Sequence, residues 1–323
     1  MTNFNYKNIL ITGATGFVGS HLAEELAKTK ADITVTTHHN IPTNSYFATQ
    51  GLERKTKIIR IELSGYKAVE KMVFNVKPDC IFHLAAQPLV DIAYKNPKTT
   101  LYSNIVGTIN LLEATRLFGK THAIIVASSD KAYGKILNSQ LKYSESDPLR
   151  GDHPYEVSKS SADLISYSYY KTYGLPTTIT RFGNIYGEGD MHFSRIIPGI
   201  MEAIVKKQTF LIRSNGKYIR DYLYVKDVVR GYLLLAQNIA KTKGEAYNFG
   251  SDDSFSVLDL IGLLEKVLDM KIKYKIINTA KNEIPYQSLD WTKIRKTVGW
   301  KPEYTIKNTM KNIYNWYTNY YSK

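Results

Sequence analysis

An apolar, β-branched run at Lys7–Thr12 opens straight into Gly13-Ala14-Thr15-Gly16-Phe17-Val18-Gly19, and a helix-forming stretch follows at Ser20–Ala27. A strand that turns at once into a helix presents the helix's unbonded N–H groups, and the positive end of its dipole, at the turn. An anion fits there, and a dinucleotide's pyrophosphate is the anion such glycine spacing serves. Each glycine has its own task. Gly13 permits the turn, Gly16 admits close approach of a ligand, and Gly19 lets the helix lie on the strand.

The pattern that follows agrees with this start. Strand-like Ile33–Thr37, Lys57–Ile61, Cys80–Leu84, Ala123–Ala127 and Thr177–Thr180 alternate with helical Tyr66–Val76, Thr99–Phe118 and Tyr155–Tyr173. Such alternation predicts a parallel sheet with helices on both faces, wound in two directions by right-handed crossovers. The expected class is α/β: a Rossmann-like doubly wound parallel sheet with a smaller C-terminal substrate-binding lobe. Residues 1–183 are expected to form the dinucleotide-binding domain, rejoined by a returning segment at about 218–240 that contains Tyr222–Val225 and helical Asp227–Gln237. Residues 184–323 are expected to supply the smaller, discontinuous lobe. Beyond Asn184 the rhythm breaks at Gly187, Gly189, Pro198 and Gly216, and resumes in Val257–Leu268 and a last helix near the end.

Composition narrows the class further. With 43% apolar and 22% charged residues in a chain of 323, a packed core is expected and disorder is not. The first strand leaves no room for a signal peptide. The longest apolar stretches, such as Leu233–Ala236, are far below the ~20 residues a bilayer requires. The single cysteine, Cys80, lies in an apolar run and reads as a buried, inert thiol. These features predict a cytoplasmic protein with no membrane partner. The formal charge of +14 raises the question of nucleic acid. Yet Lys and Arg are interspersed with Asp and Glu, so the expectation is a solvated surface that attracts an anionic substrate, and no nucleic acid. No metal is expected.

The chemistry-bearing residues come next. Ser128-Ser129-Asp130-Lys131 closes a strand, and Tyr155-Glu-Val-Ser-Lys159 opens the helix that follows. Carboxyl ends of parallel strands are where such sheets bind ligands. Tyr155 and Lys159, four apart, share one helix face. There Lys159 can lower the tyrosine's pKa and hold a ribose, and Tyr155 can act as base for a hydroxyl being oxidised. Tyr94/Lys98, Tyr167/Lys171 and Tyr222/Lys226 repeat the spacing, but only Tyr155 follows the serine-bearing strand and opens a long helix. The second strand ends Thr36-Thr37-His38-His39, with neither a carboxylate for a ribose 2′-hydroxyl nor an Arg for a 2′-phosphate. Glu62, after the third strand, can accept from an adenine amine or stand as a solvated loop carboxylate.

Taken together, these motifs resemble the extended short-chain dehydrogenase/reductases. The resemblance rests on Gly13-x-x-Gly16-x-x-Gly19, His83-Leu-Ala-Ala86, Asn104-x-x-Gly107-Thr108, Tyr155-x-x-x-Lys159, Arg181-Phe-Gly-Asn184-Ile-Tyr-Gly187 and Arg220-Asp-Tyr-Leu-Tyr-Val225. Within that family His83-Leu-Ala-Ala-Gln87-Pro-Leu-Val90, Ser129-Asp130-Lys131, Gly187-Glu-Gly-Asp190 and Arg195-Ile-Ile-Pro198 are most similar to CDP-glucose 4,6-dehydratases.

The resemblance implies NAD as cofactor, with NADP not excluded. Its contacts would be Gly13, Thr15, Gly16, Phe17, Val18, Gly19, Thr37, Glu62, Leu63, Leu84, Ala85, Ala86, Tyr155 and Lys159. It implies a nucleotide-diphosphate sugar at Gln87, Ser129, Asn184, Arg195 and Arg220, and a homodimer formed through helices Thr99–Phe118 and Tyr155–Tyr173. Ser129 would hold the sugar's C4 oxygen. Asp130 would protonate the departing C6 hydroxyl. Lys131 stands where many dTDP- and GDP-sugar dehydratases carry Glu and the CDP-glucose type carries Lys, and would be the C5 base. Asp130 and Lys131 also admit a plain reading as a strand-end ion pair. Arg181 reads as structural and Asn104 as an orienting residue. The reaction implied is a lyase step of deoxysugar biosynthesis for a polysaccharide. The alternatives are a nucleotide-sugar 4-epimerase and a non-catalytic dinucleotide-sensing protein.

Overall fold

The computed structural model describes residues 4–135, 142–279 and 284–322. The expected domain bounds also take in residues 1–3, 136–141, 280–283 and 323, which lie outside the described residues. The strands, in chain order, are β1 (Asn8–Thr12), β2 (Asp32–Thr37), β3 (Lys57–Arg60), β4 (Cys80–His83), β5 (Ala123–Ala127), β6 (Thr177–Phe182), β7 (Asn184–Tyr186), β8 (Phe210–Ile212), β9 (Ile219–Tyr224), β10 (Ala246–Phe249), β11 (Ser254–Ser256), β12 (Tyr274–Ile276) and β13 (Tyr286–Gln287). The main sheet has seven parallel strands in the order β10-β6-β5-β4-β1-β2-β3.

Both faces of this sheet are covered, which is why its strands read as nearly unbroken apolar runs. Successive residues point to opposite sides. Ile9, Ile11, Phe82 and Ile125 enter one core with Leu22, Val228 and Trp300. Leu10, Ile81, Ile124 and Val126 enter the other with Val73 and Leu111. Cys80 is fully buried in the first of these cores, and burial pushes its thiol pKa well up. A separate core, with Tyr186, Ile200, Leu260, Ile306 and Tyr317, fills the smaller lobe. Among the described residues no helix is long and apolar enough to cross a membrane.

Three local expectations need correction. The segment Tyr222–Val225 does not rejoin the main sheet. Tyr222–Tyr224 belong to β9, which runs through a four-stranded sheet of the smaller lobe, beside β11, β13 and β7, and Val225 opens the next helix. Only the helix that follows, Val225–Gln237, returns, and it buries Val228, Tyr232 and Leu235 in the first core. The seventh main-sheet strand is instead β10. It is four residues long and contains an asparagine, too brief for its apolar pattern to stand out. Lastly, the helix expected over Thr99–Phe118 is three pieces: Pro97–Leu101, a π-helical stretch at Tyr102–Val106, and Gly107–Phe118.

One polar knot crosses this frame. Arg181 of β6 makes a two-pronged ion pair with Asp163 of helix Pro154–Tyr173, at 2.8 and 2.9 Å. Its guanidinium also donates to the Tyr133 hydroxyl at 2.7 Å, and that hydroxyl donates to Asn248 of β10 at 2.7 Å. Arg181 and Asp163 are 5% and 2% exposed, so neither charge has water to fall back on. This bears out the structural reading of Arg181. Asp163→Ala, which strands a buried guanidinium, is expected to lower unfolding free energy by about 3–5 kcal/mol in urea titration.

Candidate active site

The strand order reverses direction between β1 and β4, and the crevice beyond their carboxyl ends is where an open α/β sheet receives ligands. Gly13 turns there with φ 73°, and a Cβ on it would lie 2.7 Å from the Ala85 backbone. A Cβ on Gly19 would lie 2.3 Å from the Gly13 carbonyl oxygen, so the helix can lie on the strand only without one. Gly16 differs. A Cβ there would meet nothing closer than the Gly13 oxygen at 3.4 Å, and the backbone has ordinary extended angles. The protein's own packing does not require that glycine, so the room it leaves is room for a ligand. Gly16 caps helix Phe17–Leu26 without a side-chain hydrogen bond, leaving the first-turn amides for an anion.

The other expected cofactor contacts divide. The Thr15 hydroxyl donates to the Thr37 hydroxyl at 3.3 Å, which donates to the His39 carbonyl at 2.8 Å. The Leu84 and Ala85 amides bond back to Thr12, setting the loop beside Gly13, and Ala86 follows half-buried. Leu63 is buried, and its carbonyl accepts from Asn110. Phe17 points elsewhere, into the smaller lobe's core, and Val18 packs between the two cores. Glu62 is exposed and pairs with His38 at 2.7 Å.

A buried relay fixes the loop after β4. Thr108 donates its one hydroxyl hydrogen to the Asn104 carbonyl at 2.6 Å. It must therefore accept from His83 Nε2, 2.9 Å away, and His83 Nδ1 accepts from Thr12 at 2.7 Å. Burial, then the nearby Lys159 charge, press the His83 pKa to about 3, so this ring is a neutral spacer. Asn104 sits in the π-helical stretch. It accepts the Gln87 N–H at 2.7 Å and donates to the Gln87 carbonyl and to Ser158. It orients the loop against the helix that carries Tyr155. Gln87 has both side-chain amide hydrogens engaged, on the Leu89 carbonyl and the Thr100 hydroxyl. It braces the loop in which it sits.

At the end of β5 the expected catalytic residues meet. The Ser129 hydroxyl donates to Asp130 at 2.9 Å and accepts the Lys131 N–H at 3.2 Å, capping a short 3₁₀ turn. Lys131 Nζ lies 3.2 Å from Asp130 and also donates to Gln287 Oε1. Burial lowers the Lys131 pKa, Asp130 pulls it back, and Arg220 lowers it further. Tyr155 faces Ser129, with Arg195 near enough to act on it. Its pKa is pushed up to about 12, first by burial and then by Asp130. That is the reverse of the lowering expected from Lys159, whose Nζ is instead held on the Ala127 carbonyl at 2.8 Å, with its pKa drawn down to about 8 by burial. Arg195 is paired with buried Asp190 at 3.0 Å. Asn184, on β7, stands opposite Tyr222. Among the described residues no group of His, Cys, Asp and Glu can cage a metal ion.

The sequence pattern had marked Ser129, Asp130, Lys131 and Tyr155. It had not marked Gln287, a lone polar residue 156 positions from Lys131 on a two-residue strand.

Residues 10–313 match the family model described as GDP-mannose 4,6 dehydratase. The chain belongs to that family. Among its relatives, UDP-glucuronate 4-epimerase 2 of Arabidopsis thaliana is 30% identical, over 99% of this chain and 77% of that protein. CDP-glucose 4,6-dehydratase of Salmonella typhimurium is 28% identical, over 96% and 90%. A solved UDP-glucose 4-epimerase from Thermotoga maritima, with UDP-glucose, superposes with a TM-score of 0.87 at 27% identity, over 97% of this chain and 99% of that one. A dTDP-glucose 4,6-dehydratase from Streptomyces venezuelae, with NAD bound, also gives 0.87, at 24% identity, over 96% and 97%. The chain is thus an enzyme of the nucleotide-sugar dehydratase and epimerase family, with the Rossmann-like fold of the short-chain dehydrogenase/reductases.

The two glycines should separate by experiment. Gly19→Ala is expected to cost about 1–3 kcal/mol in thermal unfolding, through forced repacking. Gly16→Ala should unfold within about 0.5 kcal/mol of wild type, while dinucleotide binding by calorimetry is lost.

Proposed function

We propose that this enzyme is a nucleotide-sugar 4,6-dehydratase that works with bound NAD. The observation that carries the reading is the acid–amine pair Asp130–Lys131, held beside Tyr155 at the end of β5. An epimerase oxidises and reduces one carbon and has no use for a second acid and base there. A dehydratase must also take a proton from C5 and give one to the oxygen leaving C6. The glycine turn, with room at Gly16 and uncapped amides beyond it, fits a dinucleotide pyrophosphate. Lys159, on the same helix face as Tyr155, would hold the nicotinamide ribose.

When bound, NAD supplies the acceptor and later the donor of the hydride that makes C4 a ketone and C6 a methyl group. The chain's own residues move the protons. Tyr155 accepts the C4 hydroxyl proton, and Ser129 holds that oxygen. Burial raises the Tyr155 pKa, so to serve as a base it would need a positive charge nearby, which an oxidised nicotinamide would supply. The ketone acidifies C5–H. Lys131, made less basic by burial, accepts that proton, and Asp130 protonates the C6 oxygen, which departs as water; Lys131 returns its proton to C5 as C6 becomes a methyl group, Tyr155 releases the C4 hydroxyl proton to solvent, and Asp130 takes one up. Asn184, Arg195 and Arg220 are proposed for the nucleotide diphosphate. Within this reaction we favour the CDP-glucose type, supported by Lys131 itself. The 4-epimerase is the second reading, favoured by relatives of that activity at similar identity.

Incubation with CDP-, dTDP- and UDP-glucose and GDP-mannose should give a product lighter by one water in mass spectrometry. An isomer of unchanged mass would favour the epimerase. Tyr155→Phe is expected to slow turnover by about 10²–10⁴-fold, and Asp130→Asn to slow elimination while C4 oxidation persists.

We further propose a homodimer. Ile109 and Leu117 on helix Gly107–Phe118, and Leu164, Tyr167 and Tyr173 on helix Pro154–Tyr173, are large exposed apolar side chains on two packed helices. A second copy would cover them. Light scattering should give twice the chain mass for wild type and the single-chain mass for Leu164→Arg.

A further inference from the structure

We propose that Gln287 is the positioning residue for Lys131: its side-chain carbonyl, together with Asp130, takes two of the directions around Nζ and leaves the third for the substrate. The inference rests on the reading of Lys131 as the C5 base and adds a residue from the smaller lobe to that site.

The geometry is simple. Lys131 Nζ donates to Asp130 Oδ2 at 3.2 Å and to Gln287 Oε1. The Gln287 oxygen can only accept, and Asp130 Oδ2 accepts as well when the proton that the acid role requires sits on Oδ1, on the Ser129 side, so each claims an N–H in either protonation state of the amine. In the neutral amine, two hydrogens are thereby fixed and the lone pair must occupy the remaining tetrahedral direction. A lysine side chain is otherwise long and mobile, and a base acts only when its lone pair is aimed.

Gln287 is well placed to hold this aim. It is 1% exposed, on β13, whose partner β9 sets it opposite Arg220. Its Nε2 is buried and has no hydrogen-bond partner among the described residues. A buried donor without an acceptor is costly, yet this one lies an amide's width from the Lys131 amine. An oxygen of the sugar arriving at Lys131 would take it. The charged groups facing Lys131 are Asp130 beside it, Arg220 on β9 and Glu156 on helix Pro154–Tyr173. Gln287 adds an aimed dipole to that set without adding a charge.

The test needs no knowledge of the natural substrate. In protein labelled with ¹³C-lysine, the Lys131 side chain is followed by NMR across pH and assigned by its disappearance in Lys131→Met. Gln287→Glu puts a full negative charge at the same distance and should raise the Lys131 titration by about one pH unit or more. Gln287→Met removes the acceptor at similar volume and should lower it. Opposite movements cannot come from general loosening of the fold. A titration that stays put in both variants, or moves the same way in both, overturns the proposal. With CDP-glucose as probe, the low-pH limb of solvent-deuterium exchange at C5 should move with the titration. Retained C5 exchange in Lys131→Met would overturn the base reading, while the NMR arm would still decide on the Gln287 contact.

Discussion

The active-site edge of this enzyme depends on how closely two backbones approach. The turn after β1 and the loop after β4 meet at Gly13 and Ala85, where a single Cβ would sit 2.7 Å from main-chain atoms. That contact sets the floor of the crevice, and the neighbouring elements are aligned from it. The Thr12–His83–Thr108–Asn104 relay lies beneath. It ends on the loop at Gln87 and, through Ser158, on the helix bearing Tyr155. A buried histidine is well suited to this work because burial keeps it uncharged, so the relay transmits position and carries no field of its own.

At the site, burial is the largest influence on Tyr155, Lys131 and Lys159, each time toward the neutral form. Tyr155 is pushed up, Lys159 and Lys131 are drawn down, and the direction follows from the sign of each group's charged state. The protein's own surroundings thus disfavour the tyrosinate of Tyr155 and the ammonium of Lys131 and Lys159. In the proposed reaction, arrival of a cationic ring and a diphosphate would change that balance. The protein prepares shape, and its ligands complete the electrostatics.

Much of this was legible in the sequence because the signals were local. The turn glycines, the strand ending in Ser129-Asp130-Lys131 and the helix opening at Tyr155 are contiguous motifs, and helices Tyr66–Val76 and Val257–Leu268 fall where their periodicity puts them. What escaped was set by distant partners. β10 is a strand only because β6 offers it an edge. Ile219–Tyr224 ends in a strand-like Tyr222-Leu-Tyr run, and nothing in its residues tells which sheet will take it. The π-helical stretch has the composition of the helices on either side. Gln287 acquires meaning only when the smaller sheet folds back against the 3₁₀ turn of β5. The bonds that Gln87 makes to Leu89 and Thr100, and Lys159 to Ala127, were equally hidden, since a side chain's partners depend on which acceptors the fold brings near.

The first helix joins the two halves of the molecule. Its N-terminus faces the crevice, Phe17 is seated in the smaller lobe's core, and His21 bonds the Glu188 carbonyl at 2.7 Å. Gly187 lies against Phe17 and Val225, with no space for a side chain. Leu22, Ala23 and Leu26 pack in the first core of the main sheet, so a rod held by both lobes cannot tilt in one without disturbing the other. The two lobes should therefore melt as one cooperative unit, and any anion that settles at the rod's tip should delay the unfolding of a core it never touches.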